Sequence, residues 1–105
     1  MRRRSLIVAA ASAATASLPA WAAGKTHTVR LEGMKFAPAT IEVRAGDRIT
    51  WQNLDVVPHT ATAAGRFDSG SIAAGKSWTQ VAPPPGRYEV VCTFHPGMKA
   101  RLVVQ

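Results

Sequence analysis

Only one cysteine, Cys92, stands in the 105 residues, so no disulfide can close within the chain and the thiol is left for a metal or for its own reactivity. Acidic side chains are scarce, six against thirteen Lys and Arg. No pair of them is placed as an acid and a base, which speaks against an enzyme in its own right. The basic excess of +7 does not make a nucleic-acid binder either. Beyond Arg2, Arg3 and Arg4 the Lys and Arg residues never form a run, and no nucleic-acid motif accompanies them. Attraction to an acidic partner and a merely solvated surface both account for them. A helical period is missing throughout the chain after Ala23.

Long apolar runs are missing too, with one near exception at the start. Arg2, Arg3 and Arg4 form a positive n-region, and an alanine-rich apolar stretch follows from Leu6. Ala20-Trp21-Ala22 then supplies the small-x-small pattern of a signal peptidase site. Ser12, Thr15, Ser17 and Pro19 dilute the stretch below the roughly 20 apolar residues that a membrane span requires. Residues 1–22 are therefore expected to be a cleavable signal peptide and 23–105 a single domain, exported with no stable membrane insertion. Arg3-Arg4-Ser5-Leu6-Ile7 resembles the core of a twin-arginine signal, so both that route and the general secretory route stand open. Loss of the three leader arginines takes the net charge down to about +4.

What the remaining chain does contain is short runs of alternating residues between turn signals. His27, Val29 and Leu31 share one side; Ile41 and Val43 share another; so do Ile49, Trp51 and Asn53, then Tyr88, Val90 and Cys92, and finally Leu102 and Val104. Gly33, Ala45-Gly46-Asp47, Asp68-Ser69-Gly70, Ala74-Gly75 and Pro83-Pro84-Pro85-Gly86 punctuate these runs. Many short strands without a helix predict an all-β domain, a β-sandwich or a small Greek-key barrel.

The chemistry gathers in Cys92-Thr93-Phe94-His95-Pro96-Gly97-Met98, with His59 upstream after Pro58. Two imidazoles, a thiolate and a thioether are the donor set of a blue-copper site, in which the thioether binds weakly from the axis. Met98 discriminates between metals, because structural zinc sites recruit more cysteines or histidines and a thioether serves zinc poorly. Taken singly, a cysteine is often a small buried hydrophobe, a methionine a gap filler and a histidine an ordinary residue. Their joint spacing favours copper, one ion per chain. Cys92 falls at the end of an alternating run with its sulfur directed inward. His95-Pro96-Gly97-Met98 predicts a type II turn with Gly97 at positive φ, which sets His95 and Met98 at its corners. His59 arrives from the loop after Trp51-Gln52-Asn53, stiffened by Pro58. His27 has no companion donor and reads as structural or exposed, and Met34 as core or loop packing.

Phe36-Ala37-Pro38-Ala39-Thr40-Ile41-Glu42-Val43, Ala45-Gly46-Asp47, Ile49-Thr50-Trp51-Gln52-Asn53, Pro58-His59-Thr60, Phe67-Asp68-Ser69-Gly70, Pro85-Gly86-Arg87-Tyr88 and the Cys92 to Met98 loop together resemble the cupredoxins, within them the amicyanin and plastocyanin-like group. That resemblance implies a Greek-key β-sandwich, with His59, Cys92, His95 and Met98 as copper ligands. It also implies a monomeric one-electron carrier between periplasmic redox proteins, which dock transiently near His95 on the electron's way out. The chain departs from the family's running pattern at Phe94, where proline is common, at Gly97, where a bulky phenylalanine is common, and at Thr60, where many members carry asparagine. Thr60 and Thr93 are expected to tie the two ligand loops together. Pro58, Pro96 and Phe94 are the expected docking rim. A competing function is a periplasmic copper carrier or chaperone that delivers the metal to an oxidase. Its open Met- and His-rich sites are unlike a thiolate held in a tight loop.

Overall fold

Turn residues cut residues 24–105, the part of the chain that the computed structural model describes, into nine strands. The expected leader and its cleavage point lie outside the described residues. One sheet has the order β2 (Lys35–Ala37), β1 (Thr26–Glu32), β4 (Arg48–Asn53), β7 (Ser77–Val81). The other has the order β3 (Thr40–Val43), β9 (His95–Val104), β8 (Gly86–Cys92), β5 (Thr62–Ala63), β6 (Phe67–Asp68). Strand β1 runs parallel to β4, and β3 parallel to β9, while the remaining pairs are antiparallel. The chain passes from sheet to sheet between β2 and β3, β3 and β4, β4 and β5, β6 and β7, and β7 and β8. Neighbours out of sequence order result, as in Greek-key sandwiches.

The alternation read from the sequence is the alternation of burial. Val29, Leu31, Ile49, Trp51 and Asn53 face inward from one sheet, and Ile41, Val43, Tyr88, Val90, Cys92, Leu102 and Val104 from the other. Trp51 sits at the centre with no exposed surface, edge-on to Phe36 at 5.8 Å and 6.3 Å from the Phe67 ring. Its indole N–H would be costly to bury alone, and Gln80 Oε1 accepts it at 2.9 Å.

The connections carry as much information as the strands. Glu32 pairs with Lys35 across a two-residue turn in which Gly33 and Met34 have φ of 65° and 63°. Two successive positive φ values make a type I′ hairpin, a strained position for a methionine. At the opposite pole of the sandwich Asp47 accepts the backbone N–H of Lys25 at 2.9 Å and of Arg44 at 3.0 Å, and pairs with His27 Nε2 at 2.8 Å. His27 is thus structural, as expected.

Those bonds, the Lys25 N–H first, then the Arg44 N–H and the imidazole, bring Asp47 from 3.8 down to about 2. A carboxyl whose native pKa is depressed lends stability that is complete above its unfolded value and disappears as pH falls through the native one. Metal-free protein should therefore lose denaturation midpoint steeply between pH 3.8 and about 2. Asp47→Asn should lower the midpoint near neutrality and flatten this acid limb. Parallel acid limbs in urea melts of the two proteins would refute the assignment.

Candidate metal centre

Backbone hydrogen bonds carry His59 into the interior before its side chain is considered. The His59 N–H donates to the Ile72 carbonyl at 3.1 Å, and the Ile72 N–H returns the bond at 2.7 Å. The loop that leads there is fastened from within by Asn53, which has no exposed surface. Its Nδ2 donates to the Val57 and Ile72 carbonyls at 2.8 and 2.9 Å, and its Oδ1 accepts the Asp55 N–H at 2.9 Å. All the polar atoms of this buried amide are satisfied, which is the condition for burying it at all.

Asp55 then fixes the imidazole. Its Oδ2 lies 2.7 Å from His59 Nε2, and its carboxylate also accepts the N–H groups of Gly33 at 2.7 Å and Met34 at 3.0 Å. The bond to His59 is the largest of the influences that hold Asp55 at about 2, ahead of the two backbone N–H groups. A carboxylate on Nε2 assigns the ring proton to that nitrogen and leaves the Nδ1 lone pair free. Nδ1 faces Cys92 Sγ at 3.7 Å. The strained Met34 turn therefore has a role that sequence reading did not find, and so does Asp55. The available signal for Asp55 was an acidic residue four positions before a candidate ligand histidine.

Cys92 is wholly buried at the end of β8. Its sulfur accepts the Thr60 N–H at 3.3 Å, which holds it in place beside the His59 loop. The loop after it differs from the expected type II turn at His95 to Met98. Cys92 pairs directly with His95, so Thr93 and Phe94 form the turn, while Pro96 and Gly97 lie within β9 and Gly97 is absent from the positive-φ residues. The neighbouring pair is Val91 with Lys99, so one step along β8 answers four along β9. Pro96, Gly97 and Met98 are the surplus and form a bulge. A bulge needs no partner for the N–H that proline lacks, which is why Pro96 fits there without a Pro-Gly turn.

His95 emerges half-buried beside this bulge, its ring 5.2 Å from that of His59 and nearly perpendicular to it. Met98 is turned inward with 3% of its surface exposed. Among the described residues no trio of His, Cys, Asp or Glu is already closed around one point. The imidazole and sulfur of His59 and Cys92 are paired, and His95 stands edge-on to the first ring. The expected tie between the two loops is present: the Thr93 N–H donates to Thr60 Oγ1 at 2.9 Å, and the two hydroxyls lie 3.2 Å apart.

A β-sandwich that brings two imidazoles and a cysteine sulfur together at one pole, with a buried methionine three residues beyond the second histidine, offers the donor types of a class, the copper proteins with soft donor sets. The chain belongs to the cupredoxin-like family, whose domain model matches residues 5–104. Within it the chain is amicyanin-like, a copper protein of the electron-carrying kind. Amicyanin-alpha of Methylorubrum extorquens is 30% identical over 122 aligned positions, which cover 97% of this chain and 99% of that protein. Chloroplastic plastocyanin of Tetradesmus obliquus is 33% identical over 84 residues, covering 67% of this chain and 58% of the relative. A solved structure of reduced amicyanin with phenylalanine in place of a proline superposes with a TM-score of 0.71 at 27% identity, over 76% of this chain and 82% of that one.

Proposed function

We propose that this chain is a periplasmic one-electron carrier, not an enzyme, that holds one copper ion through His59, Cys92, His95 and Met98. The observation that carries the reading is the buried pair of His59 Nδ1 and Cys92 Sγ, 3.7 Å apart, with the far nitrogen of the ring already engaged by Asp55. The donor set fits copper: a soft thiolate and thioether suit Cu(I), and imidazole serves both oxidation states. Copper bound there supplies a one-electron couple and an intense thiolate charge-transfer band.

The protein's own residues do the rest. Asp55 orients His59, the Thr60 N–H holds the Cys92 sulfur, and Asn53 with the His59–Ile72 bridge keeps the frame from following a change in preferred geometry. Half-buried His95 is the electron's exit. Phe94 before it in the chain is 49% exposed, and Pro96 after it and Pro58 before His59 are exposed as well. This apolar rim suits a small transient contact with a redox partner, under about 1,200 Å² in total. No helix among the described residues is long and apolar enough to cross a membrane. We take residues 1–22 as the export signal and the mature domain, 23–105, as a monomer.

Cu(II) added to purified metal-free protein should give an intense blue or green band that bleaches on reduction and returns on oxidation. A colourless complex with Cu(I) alone, passed on to an acceptor, would instead favour a copper-delivery chaperone. Asp55→Ala should weaken copper binding by about 10- to 100-fold, the usual loss when the carboxylate behind a ligating histidine is removed. Competition with a chelator measures it, and unchanged affinity would discard the role given to Asp55.

A further inference from the structure

Two strand pairings meet on either side of Thr60, and they are out of step. In β5 and β6 Thr62 pairs with Asp68 and Ala63 with Phe67, while His59 pairs with Ile72. Thr60 and Ala61 lie between the two pairings on one side, and Ser69, Gly70 and Ser71 on the other. One residue is surplus, as in a β-bulge, and the ladder is broken there. Continued from His59 and Ile72, it would set Ala61 opposite Gly70. Instead the N–H of Ala61, a residue with no exposed surface, donates to Ser69 Oγ at 2.8 Å, and the Ser69 hydroxyl donates onward to the Gly70 carbonyl at 2.7 Å. A hydroxyl has one proton and two lone pairs, so it makes both bonds at once. The Ser69 N–H returns to the Ala61 carbonyl at 3.1 Å, and the Gly70 N–H is taken by Asp68 Oδ1 at 2.9 Å.

We propose that Ser69 is a positioning residue of the metal centre: its hydroxyl, inserted between the Ala61 N–H and the Gly70 carbonyl, holds the ligand loop extended so that the Thr60 N–H meets the Cys92 sulfur. In an extended chain successive amides point to opposite sides. The N–H and C=O groups of His59 and of Ala61 are all bonded to residues 69–72. Thr60, between them, is thereby turned the other way, and its N–H reaches Cys92 Sγ at 3.3 Å. The Ile72 bridge fixes one side of Thr60, and Ser69 fixes the other. The consequence for the metal rests on the copper-carrier reading, since hydrogen bonding around the cysteine sulfur tunes the potential of copper bound there. A donor at the sulfur draws charge from it and so favours Cu(I) over Cu(II). Loosening that donor lowers the potential. Serine is an ordinary turn residue, so Asp68-Ser69-Gly70 shows nothing of this in the sequence.

Three variants test it. Ser69→Ala deletes the relay, Ser69→Thr keeps its hydroxyl, and Ser71→Ala changes the exposed serine two places on. Each is read by amide exchange at Thr60 and Ala61 in the metal-free chain, measured against the core amide of Val90, and by the reduction potential of the copper-loaded chain. Ser69→Ala should raise exchange at both amides by about two- to tenfold, the worth of one net hydrogen bond, and should lower the potential. Ser69→Thr and Ser71→Ala should keep exchange and potential at the wild-type values. A folded Ser69→Ala protein in which Thr60 exchange or the potential is unchanged would overturn the proposal. So would a Ser69→Thr protein with raised Thr60 exchange and a lowered potential, whether or not Ser69→Ala folds. Thr60 exchange is read without copper and judges Ser69 by itself. A wild type that never develops the thiolate band refutes the carrier reading instead.

Discussion

Cys92→Ser should abolish the visible band of the copper-loaded protein completely while the sandwich stays folded. The band needs a thiolate bound to Cu(II), and no second cysteine exists to replace this one. The substitution is mild for the fold. A serine hydroxyl occupies the same buried place and can accept the Thr60 N–H that now reaches the sulfur. A stability loss of no more than about 1–3 kcal/mol is expected, the scale of one poorly satisfied buried polar group. Visible absorption and circular dichroism on the same sample separate the two effects. A band that survives in the serine variant would remove Cys92 from the ligand set.

Trp51→Ala should cost about 3–5 kcal/mol, the range for truncating a large buried aromatic side chain. Domains of this kind are stable by only about 5–15 kcal/mol, so the loss shifts the folding equilibrium by more than a hundredfold. The cost has two parts. Phe36 and Phe67 lose their aromatic neighbour, and Gln80 Oε1 loses its donor at the edge of the core. Copper should restore part of the loss, because a ligand bound only by the native state adds about 2.7 kcal/mol at a hundredfold excess over its Kd. Denaturant titrations with and without the metal measure both numbers. A loss below about 1 kcal/mol would mean that the core collapses around the vacancy.

Much of this arrangement was legible because burial on a half-exposed sheet has period two. Val29 and Leu31, Ile49 and Trp51, Tyr88 and Cys92 announced their inward face, and every one of them is buried. Strand β7 was illegible for a physical reason: Gln80 shares the inward face with Trp78 to serve Trp51, and Val81 is 59% exposed, so the alternation breaks after Thr79. Strands β5 and β6 are two residues each, too short for any period. At the site, the residue types of the donor set were readable from chemistry and spacing. The shape of the loop between His95 and Met98 was not. Pro-Gly is a strong local turn signal, and here the nonlocal pairing of Cys92 with His95 and Val91 with Lys99 prevailed over it. The tie of the Met34 turn to Asp55 was hidden for the same reason, since its two bonds span 21 and 22 positions of chain.

The bulge of Pro96, Gly97 and Met98 has a consequence for descent as well as for geometry. Paired backbone brackets it on both sides, and beyond Lys99 the strand goes on into Ala100, Leu102 and Val104, which hold the sandwich together. Residues gained or lost inside the bracket alter the interval between imidazole and thioether without disturbing that pairing. Heritable variation can therefore retune a metal's affinity and potential by length alone, in one small exchangeable cassette, while the architecture beneath it is inherited unchanged.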